Sequence, residues 1–427
     1  MSLYGEPCRN CQSVFSAGPV LAAPAALALP SWHMRKAVFF HVNNFLVGGI
    51  EKVLLELLRA MDKDRYRVVL CISYDLGDSE TLLSQVPGHV EIRRVLDKPW
   101  MNYVRRKKTS GHIGPLGKAV WESFLPYFIK KEHKAKWSRW AKEADVIVDF
   151  DGTLAPYTDI IAGTRSAAYC HFSFGRIWDG RRYKRDRLAA RLAKYDVVVT
   201  LCDEMREEAA SLYPALEPKL ARLYNALDFK QIRKLAGEDL GEHSWLLEDG
   251  YFLSVGRLQA EQKDFATVIR AYAAARRGGG IKQRLVIVGQ GSDRERLEAL
   301  AREEGMGDCV VFTGFQANPY RWMAGAELFL FSSKYEGLPT VLIEAQALGM
   351  PIIATACPTG VRELLMDGQA GCLVPVGDVD AMRVAIRELV QHPEKGHQYQ
   401  LAAAGLLQQF DMEYAMAAFE RVVLGVE

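Results

Sequence analysis

The sequence predicts an α/β protein built from two doubly wound, Rossmann-like domains that face one another across a cleft, and three observations carry that expectation. The chain has 427 residues, too many for one ordinary core and enough for two units of about 200 residues each. Short apolar runs alternate with stretches long enough for crossover helices, which is the pattern of parallel strands covered on both faces. The alternation occurs twice, and a charged, glycine-bearing stretch from Asn225 to Gly250 separates the two occurrences and reads as the linker.

In the first half, Lys36 to Val42 reads as a buried strand, the loop NNFLVGG follows, and Ile50, Val53, Leu54, Leu57, Leu58 and Met61 recur at helical spacing. Further strands are expected at Arg67–Ser73, Asp145–Asp149, Ala167–Phe172 and Asp196–Leu201. The second half supplies strands at Tyr251–Val255, Arg284–Val288, Cys309–Thr313, Leu328–Ser332 and Pro351–Ala354, and a last apolar-patterned segment runs to the terminus. The expected organisation is an extension over 1–33, a first domain over 34–228, a second over 229–410, and a C-terminal helix over 411–427 that returns toward the first domain. Ligands of open parallel sheets bind beyond the carboxyl ends of the strands, so two facing sheets put one cleft between them.

Composition is that of an ordinary globular protein, 49% hydrophobic and 25% charged, with no run near the ~18 apolar residues of a membrane span. Ala17 to Pro30 resembles the apolar part of a secretion signal, but prolines interrupt it, and it reads as a disordered extension ahead of a start at Met34. Cys71, Cys170, Cys202 and Cys309 sit inside apolar runs as small buried hydrophobes, which fits a reducing cytoplasm. Cys8 and Cys11 form a CxxC with no second pair at zinc-site spacing, so no metal is expected there. Charge is uneven: Lys98 to Lys142 holds twelve Lys/Arg against two acidic residues, and Arg176 to Lys194 holds eight against two. Trp100, Tyr103, Trp121, Phe124, Trp137 and Trp140 interleave the first of these stretches, a combination that suits either an anionic membrane surface or a solvated helical face. A peripheral place on the inner face of the plasma membrane is the matching location. Nucleic acid is not an expected partner, since no nucleic-acid-binding motif accompanies the charge.

The stretch with most chemical content is FSSKYEGLPTVLIEAQALGMPII. It leads from a strand end at Ser332 and Ser333 through Glu336, Gly337, Leu338 and Pro339 into a helix that includes Thr340. Proline favours a helix's first turn, and the unpaired N–H groups of a helix start suit a diphosphate. Glu344 lies in the second turn and its side chain tilts back toward that seat, where a carboxylate meets hydroxyls rather than phosphate. Arg257 follows the strand YFLSVG and Lys263 comes six residues later, so both can project from one loop as the two cations a leaving diphosphate requires. Taken singly, the glutamates would be read as a surface ion pair, the cations as solubility, and His171 as a core histidine. VGQGSDRE resembles the opening of a dinucleotide fingerprint, but Arg294 replaces its third glycine, and Ser292 with Glu295 reads as a capping box. Asp149 and Asp151 form a DxD, assigned to loop structure or acceptor contact.

These residues resemble the family 4 retaining glycosyltransferases of the GT-B fold, from Lys36 to the C-terminus. The match includes the glycine loop Gly48–Gly49, LYNALD, VGRL with Arg257, IVGQG with Gly289 and Gly291, FTGF with Gly314, and above all EGLPTVLIE. The resemblance implies a first domain that binds an acceptor and a second that binds a nucleoside-diphosphate sugar, a uridine diphosphate sugar foremost. It also implies that Arg257 and Lys263 hold the diphosphate, Glu344 the ribose and Glu336 the transferred sugar, while His171 sits beside the reacting centre. The donor seat would be lined by Gly48, Gly49, Gly289, Gly314, Gly337, Leu338, Pro339 and Thr340, with no cofactor and no metal. The family places its lysine five residues after the arginine, and here QAEQ makes the gap six; Ala356 stands where an acidic residue is common, while Gly360 and Glu363 keep the pattern that follows.

The implied activity moves a hexose or N-acetylhexosamine onto a glycan or lipid-linked acceptor in polysaccharide or lipopolysaccharide assembly, with retention and without a covalent carboxylate intermediate. A nucleotide-sugar epimerase of the same fold would isomerise the donor with no acceptor present. A non-catalytic nucleotide-sugar-binding protein would show a disrupted acidic pair or a missing cation, and both are intact here.

Overall fold

The computed structural model describes residues 35–426 except 47, 110 and 176–181. The Ala17–Pro30 run, the Cys8/Cys11 pair and the first residues of the second basic stretch lie outside the described residues. Two parallel sheets form. The first holds β1 (Lys36–Val42), β2 (Tyr66–Ile72), β3 (Glu91–Arg94), β4 (Val146–Asp149), β5 (Arg165–Cys170), β6 (Val197–Thr200) and β7 (Leu220–Arg222) in the order β3-β2-β1-β4-β5-β6-β7. The second holds β8 (Tyr251–Val255), β9 (Arg284–Val288), β10 (Val310–Gly314), β11 (Leu328–Phe331), β12 (Ile352–Thr355) and β13 (Cys372–Val374) in the order β10-β9-β8-β11-β12-β13. In both, the first strand in sequence is central and strand order reverses beside it, which opens a crevice at the carboxyl ends. The central strands are apolar almost throughout because helices cover both faces.

One apolar cluster runs through both halves. It joins Phe39, Phe40, Leu54 and Ile147 of the first sheet's surroundings to Phe329, Leu338, Leu342, Ile352 and Phe410 of the second. The other face of the second sheet has its own core, built on the helices Phe265–Arg277 and Val379–Gln391. The chain crosses between the halves twice, and the crossings touch: Leu227 and Asp411 form a parallel bridge, and the Leu227 N–H donates to the Phe410 carbonyl at 2.9 Å. Beyond the second crossing the chain lies on the first sheet, where Phe419 stacks on Phe40 at 6.0 Å and Arg165 donates to the carbonyls of Val422 and Val423.

A reciprocal pair of glutamates also ties the halves. Glu363 accepts from the N–H groups of Asp203 and Glu204 at the start of the helix Asp203–Leu212, and from the Tyr224 hydroxyl. Glu204 in turn accepts from the Gly360 N–H at 2.9 Å, at the start of the short helix Val361–Leu364. Each half thus satisfies a helix start of the other.

The structure departs from the sequence reading in three places. The stretch taken as a loose linker carries the helix Phe229–Ala236, whose start is capped by Asp228 accepting from the Gln231 N–H and whose Phe229 and Ile232 are buried. β3, β7 and β13 were not expected; all three are short edge strands, β3 and β7 broken by charged residues and β13 only three residues long. The Ser292/Glu295 capping box does not form. The helix there spans Arg294–Glu303 with Asp293 at its cap position making no side-chain cap bond, because the Asp293 carboxylate is taken by the Ala260 N–H at 2.8 Å.

Phe419→Ala removes a ring that is 2% exposed and should lower the stability of the fold by about 3–5 kcal/mol, read from the midpoint of urea unfolding.

Candidate active site at the carboxyl ends of the two sheets

The loop after β8 carries Arg257 into solvent and then turns back. The Lys263 N–H bonds the Gln259 carbonyl at 3.0 Å, the Lys334 N–H bonds the Gln262 carbonyl at 2.8 Å, and Lys263 bridges to Ser333 at the end of β11. The helical turn 259–263 takes up the additional residue in the Arg257-to-Lys263 spacing. Lys263 therefore still reaches the loop after β11, where its ammonium donates to Oε1 of Glu336 at 2.6 Å and lies over the Phe331 ring at 4.9 Å. Gln262 donates to the other oxygen, Oε2, at 3.0 Å. Glu336 is buried, so this is a desolvated, hydrogen-bonded ion pair rather than a surface one.

Glu336 leads straight into the helix Thr340–Ala347, with Pro339 at the cap position and no side chain capping it. Among the described residues the N–H groups of Thr340 and Val341 have no acceptor, while that of Leu342 turns back to the Pro339 carbonyl. That leaves two donors and the positive end of the helix open to an anion. Leu338 and Pro339 are buried beneath them. Glu344, one turn further on, is half-buried; burial raises its pKa, and Lys52 of the opposite half pulls the other way. The Glu344 carboxylate, helped by burial, in turn raises the pKa of the Tyr320 phenol beside it.

The first half closes on this loop with little room to spare. A Cβ on Gly337 would come within 2.0 Å of the His171 carbonyl, so the close approach demands glycine. The His171 side chain follows β5 and its Nε2 lies 2.6 Å from the Phe150 carbonyl, which makes it the protonated nitrogen. Burial lowers the His171 pKa to about 4, and the ring is neutral near pH 7. Gly48 and Gly49 open the helix Gly49–Ala60; nothing lies within 4 Å of where a Gly49 Cβ would be, and the Glu51 carboxylate folds back over Gly48. Burial raises the Glu51 pKa, which the Asp151 carboxylate raises further and Arg257, across the cleft, lowers. Glu51 and Lys52 thus bring the first helix of one half to Arg257 and Glu344 of the other. Sequence reasoning missed Glu51, Lys52, Gln262 and Tyr320. The signal available for the first two was their place in the first turn after the glycine loop, at the carboxyl end of a central strand.

Gly289 and Gly314 sit at positive φ, and a Cβ on Gly289 would meet the Gly256 carbonyl at 1.9 Å. A Cβ on Gly291 would meet that of Leu258 at 2.1 Å. The packing of the loops after β8 and β9 against one another accounts for Gly289 and Gly291 without a ligand, whereas Gly314 is required by its positive φ.

At the end of β4, Asp149 accepts from the Tyr195 hydroxyl at 2.7 Å and the Leu154 N–H at 3.0 Å, and Asp151 accepts from the Asn43 N–H at 2.7 Å and from Thr153. His41, Asp149 and Asp151 bring ligand atoms within 4.8 Å of one another, the one such metal-capable group among the described residues. His41 Nε2, however, is 3.0 Å from the Ser73 hydroxyl, and both carboxylates hold the partners just named, so the trio acts as a polar brace for the strand ends. Ser73 also meets His133, which stacks on Tyr157 at 4.5 Å; burial lowers the His133 pKa to about 3. A groove of about 670 Å³ lies elsewhere, against Arg185, Tyr213 and Leu216, and none of the residues above lines it. The converging charges and N–H groups, not cavity size, mark the site.

Two Rossmann-like sheets facing at their carboxyl ends around an anion-ready helix start define the GT-B class of fold. Solved structures agree. The Anabaena protein HepE in complex with UDP superposes with a TM-score of 0.72 at 18% identity, over 92% of this chain and 100% of that one. The apo lipopolysaccharide outer core galactosyltransferase WaaB gives 0.67 at 18%, over 91% and 99%. Residues 47–231 match the family described as Glycosyltransferase Family 4, and residues 238–405 match the one described as Glycosyl transferases group 1. The chain belongs to this family of glycosyltransferases.

Among curated relatives, it is 33% identical over 218 residues to a Campylobacter jejuni enzyme, N-acetylgalactosamine-N,N'-diacetylbacillosaminyl-diphospho-undecaprenol 4-alpha-N-acetylgalactosaminyltransferase, covering 51% of this chain and 57% of that protein. It is 24% identical over 292 residues to the lipopolysaccharide 1,6-galactosyltransferase of Salmonella typhimurium, covering 67% and 74%. The match to the Campylobacter protein thus spans little more than half of that protein's length, and a match to an uncharacterized glycosyltransferase of Methanocaldococcus jannaschii spans 42%.

Lys263→Met leaves the Glu336 carboxylate buried without its cation and should destabilise the fold by about 3 kcal/mol, whereas adding Glu336→Gln should recover most of the loss; urea unfolding of the two variants measures this. His133 is held neutral when folded but binds a proton near 6.5 when unfolded, so it contributes stability above pH 6.5 that is lost as the pH falls toward about 3. His133→Gln should therefore flatten the dependence of stability on pH between 6.5 and 4.5 by about 1.4 kcal/mol per pH unit, read from urea midpoints.

Proposed function

We propose that the protein is a retaining glycosyltransferase. It moves a hexose or N-acetylhexosamine from a uridine diphosphate sugar to a glycan or lipid-linked acceptor in the assembly of cell-surface polysaccharide or lipopolysaccharide. The observation that carries the reading is the meeting of the Glu336–Lys263 pair, the open N–H groups of Thr340 and Val341, and the His171 loop at one place between the sheets. Such a place seats a diphosphate and puts carboxylates where hydroxyls would be. The names of the relatives lend support: one transfers N-acetylgalactosamine on an undecaprenol diphosphate, another galactose on lipopolysaccharide, and a structural neighbour holds UDP and glucose.

The donor lies on the second half. The helix start, Arg257 and Lys263 draw off the negative charge that develops on the departing diphosphate, and Glu344 binds the ribose hydroxyls. A carboxylate accepts up to about four hydrogen bonds, so Glu336 has capacity for a sugar hydroxyl beside Lys263 and Gln262. Neutral His171 presents the reacting centre from the first half, which also holds the acceptor. The acceptor attacks the face from which the diphosphate leaves, and the departing phosphate oxygen takes its proton. Closure of the halves excludes the water that would otherwise hydrolyse the donor.

Glu336→Gln should lower turnover about a hundredfold with donor affinity nearly unchanged, and Arg257→Ala should damage both, measured by donor consumption and by the thermal shift that uridine diphosphate sugars induce. Proton NMR of the product should show the donor's anomeric configuration. Inversion, or isomerisation of the donor without acceptor, would remove the reading.

A further inference from the structure

The first basic stretch folds into a helical hairpin whose outer face the proposed reaction does not use. The helix Pro99–Thr109 lies against the helix Leu125–Trp140, with Trp100 edge-on to Phe128 at 5.4 Å and Arg105 over Trp121 at 5.2 Å. On the long helix Leu125, His133, Trp137 and Trp140 are buried, spaced so that one stripe faces the sheet. His133 fixes where that stripe lands, on Ser73 directly after β2 and on Tyr157 in the helical turn Ala155–Ile160 that follows β4, on the carboxyl-end side of the sheet.

The opposite stripe is unlike an ordinary wet helix face. Phe124, Tyr127 and Lys131 follow one another at spacings of three and four, and Phe124 and Tyr127 are 62% and 66% exposed. Leu116, in the segment joining the two helices, is 80% exposed. The lysines around them differ from their neighbours. Lys98 and Lys136 are matched by Glu132 and Asp97, whereas Lys108, Lys118, Lys130 and Lys131 are exposed and have no ion-pair partner among the described residues. Large apolar side chains standing in water within a field of uncompensated positive charge fit a surface with anionic headgroups over hydrocarbon, where the rings and Leu116 seat at the boundary and the ammonium groups reach the headgroups.

We propose that the outer face of this hairpin, through Leu116, Phe124, Tyr127, Lys130 and Lys131, docks the protein on an anionic lipid bilayer. The inference rests on the proposed function only for its purpose. With the hairpin seated on the cleftward strand ends, docking holds the mouth of the cleft at the membrane, where an acceptor attached to a lipid presents its sugar.

The experiment is vesicle co-sedimentation of the full chain. At low salt the protein should pellet with phosphatidylcholine vesicles that contain phosphatidylglycerol and stay in solution with phosphatidylcholine alone, and raised salt should release it. The triple variant L116S/F124S/Y127S and the double variant K130Q/K131Q should each weaken pelleting by more than about tenfold. Both should keep the parent's melting temperature and its thermal response to uridine diphosphate sugars, because the changed side chains are exposed and distant from the donor seat. No pelleting of the parent at low salt, or equal pelleting of parent and both variants, overturns the proposal. So does light scattering that shows a dimer lost in the apolar variant while vesicles bind neither form, which assigns the face to a second copy of the chain. Pelleting does not depend on catalysis, so a protein that binds vesicles as expected but no nucleotide sugar defeats the proposed function and leaves the docking face standing.

Discussion

A carboxylate taken out of water must be matched, and the match between Glu336 and Lys263 organises the second half of the site. To reach Glu336, Lys263 must leave its loop at a defined height, which the turn 259–263 and the bridge to Ser333 set. Gln262 holds the second oxygen and so fixes the plane of the carboxylate. The chain that carries Glu336 then has no freedom before the helix at Thr340, and the unpaired N–H groups point where that short connection aims them. A buried pair of this kind adds little net stability over an apolar one. Its return is positional: two charges and two N–H donors are held in a fixed register by the fold itself.

The same register extends across the halves by contacts that are polar and short rather than broad. Gly337 lies against the His171 carbonyl with no space for a methyl group, and the glutamates of the two helix starts cap each other's partner helix. Because helix starts carry partial positive charge, each carboxylate gains on both counts, hydrogen bond and dipole, and each is lost if the halves part. Glycine at 337 and glutamate at 363 therefore belong to the mutual alignment of the sheets as much as to either sheet alone.

Most of the architecture could be read from the chain because parallel strands buried on both faces leave unbroken apolar runs. β1, β8 and β9 were placed to the residue on that basis, and the other central strands to within two. The strands that escaped, β3, β7 and β13, are edge strands, where one side of the ladder is free and an apolar run is not required. The helix at Phe229–Ala236 escaped because two buried residues, Phe229 and Ile232, give too short a period to register. In the site, EGLPTVLIE announced a helix start with flanking carboxylates, and the structure has one. What the chain could not reveal was pairing across long separations: that Lys263 would meet Glu336 itself, and that Glu51 and Lys52 would come to face Arg257 and Glu344. The capping box at Ser292 failed because the helix begins one residue later, with Asp293 at the cap position and its carboxylate bonded to the distant Ala260 N–H.

The two crossings between the halves run side by side, tied where the Leu227 N–H meets the Phe410 carbonyl. That bond and the bridge between Leu227 and Asp411 couple the two connections, so neither can shift without disturbing the other. Because the last residues of the chain are fastened to the first sheet, the second sheet is an insertion held at both of its ends, and neither end can be let go without loosening the core of its neighbour.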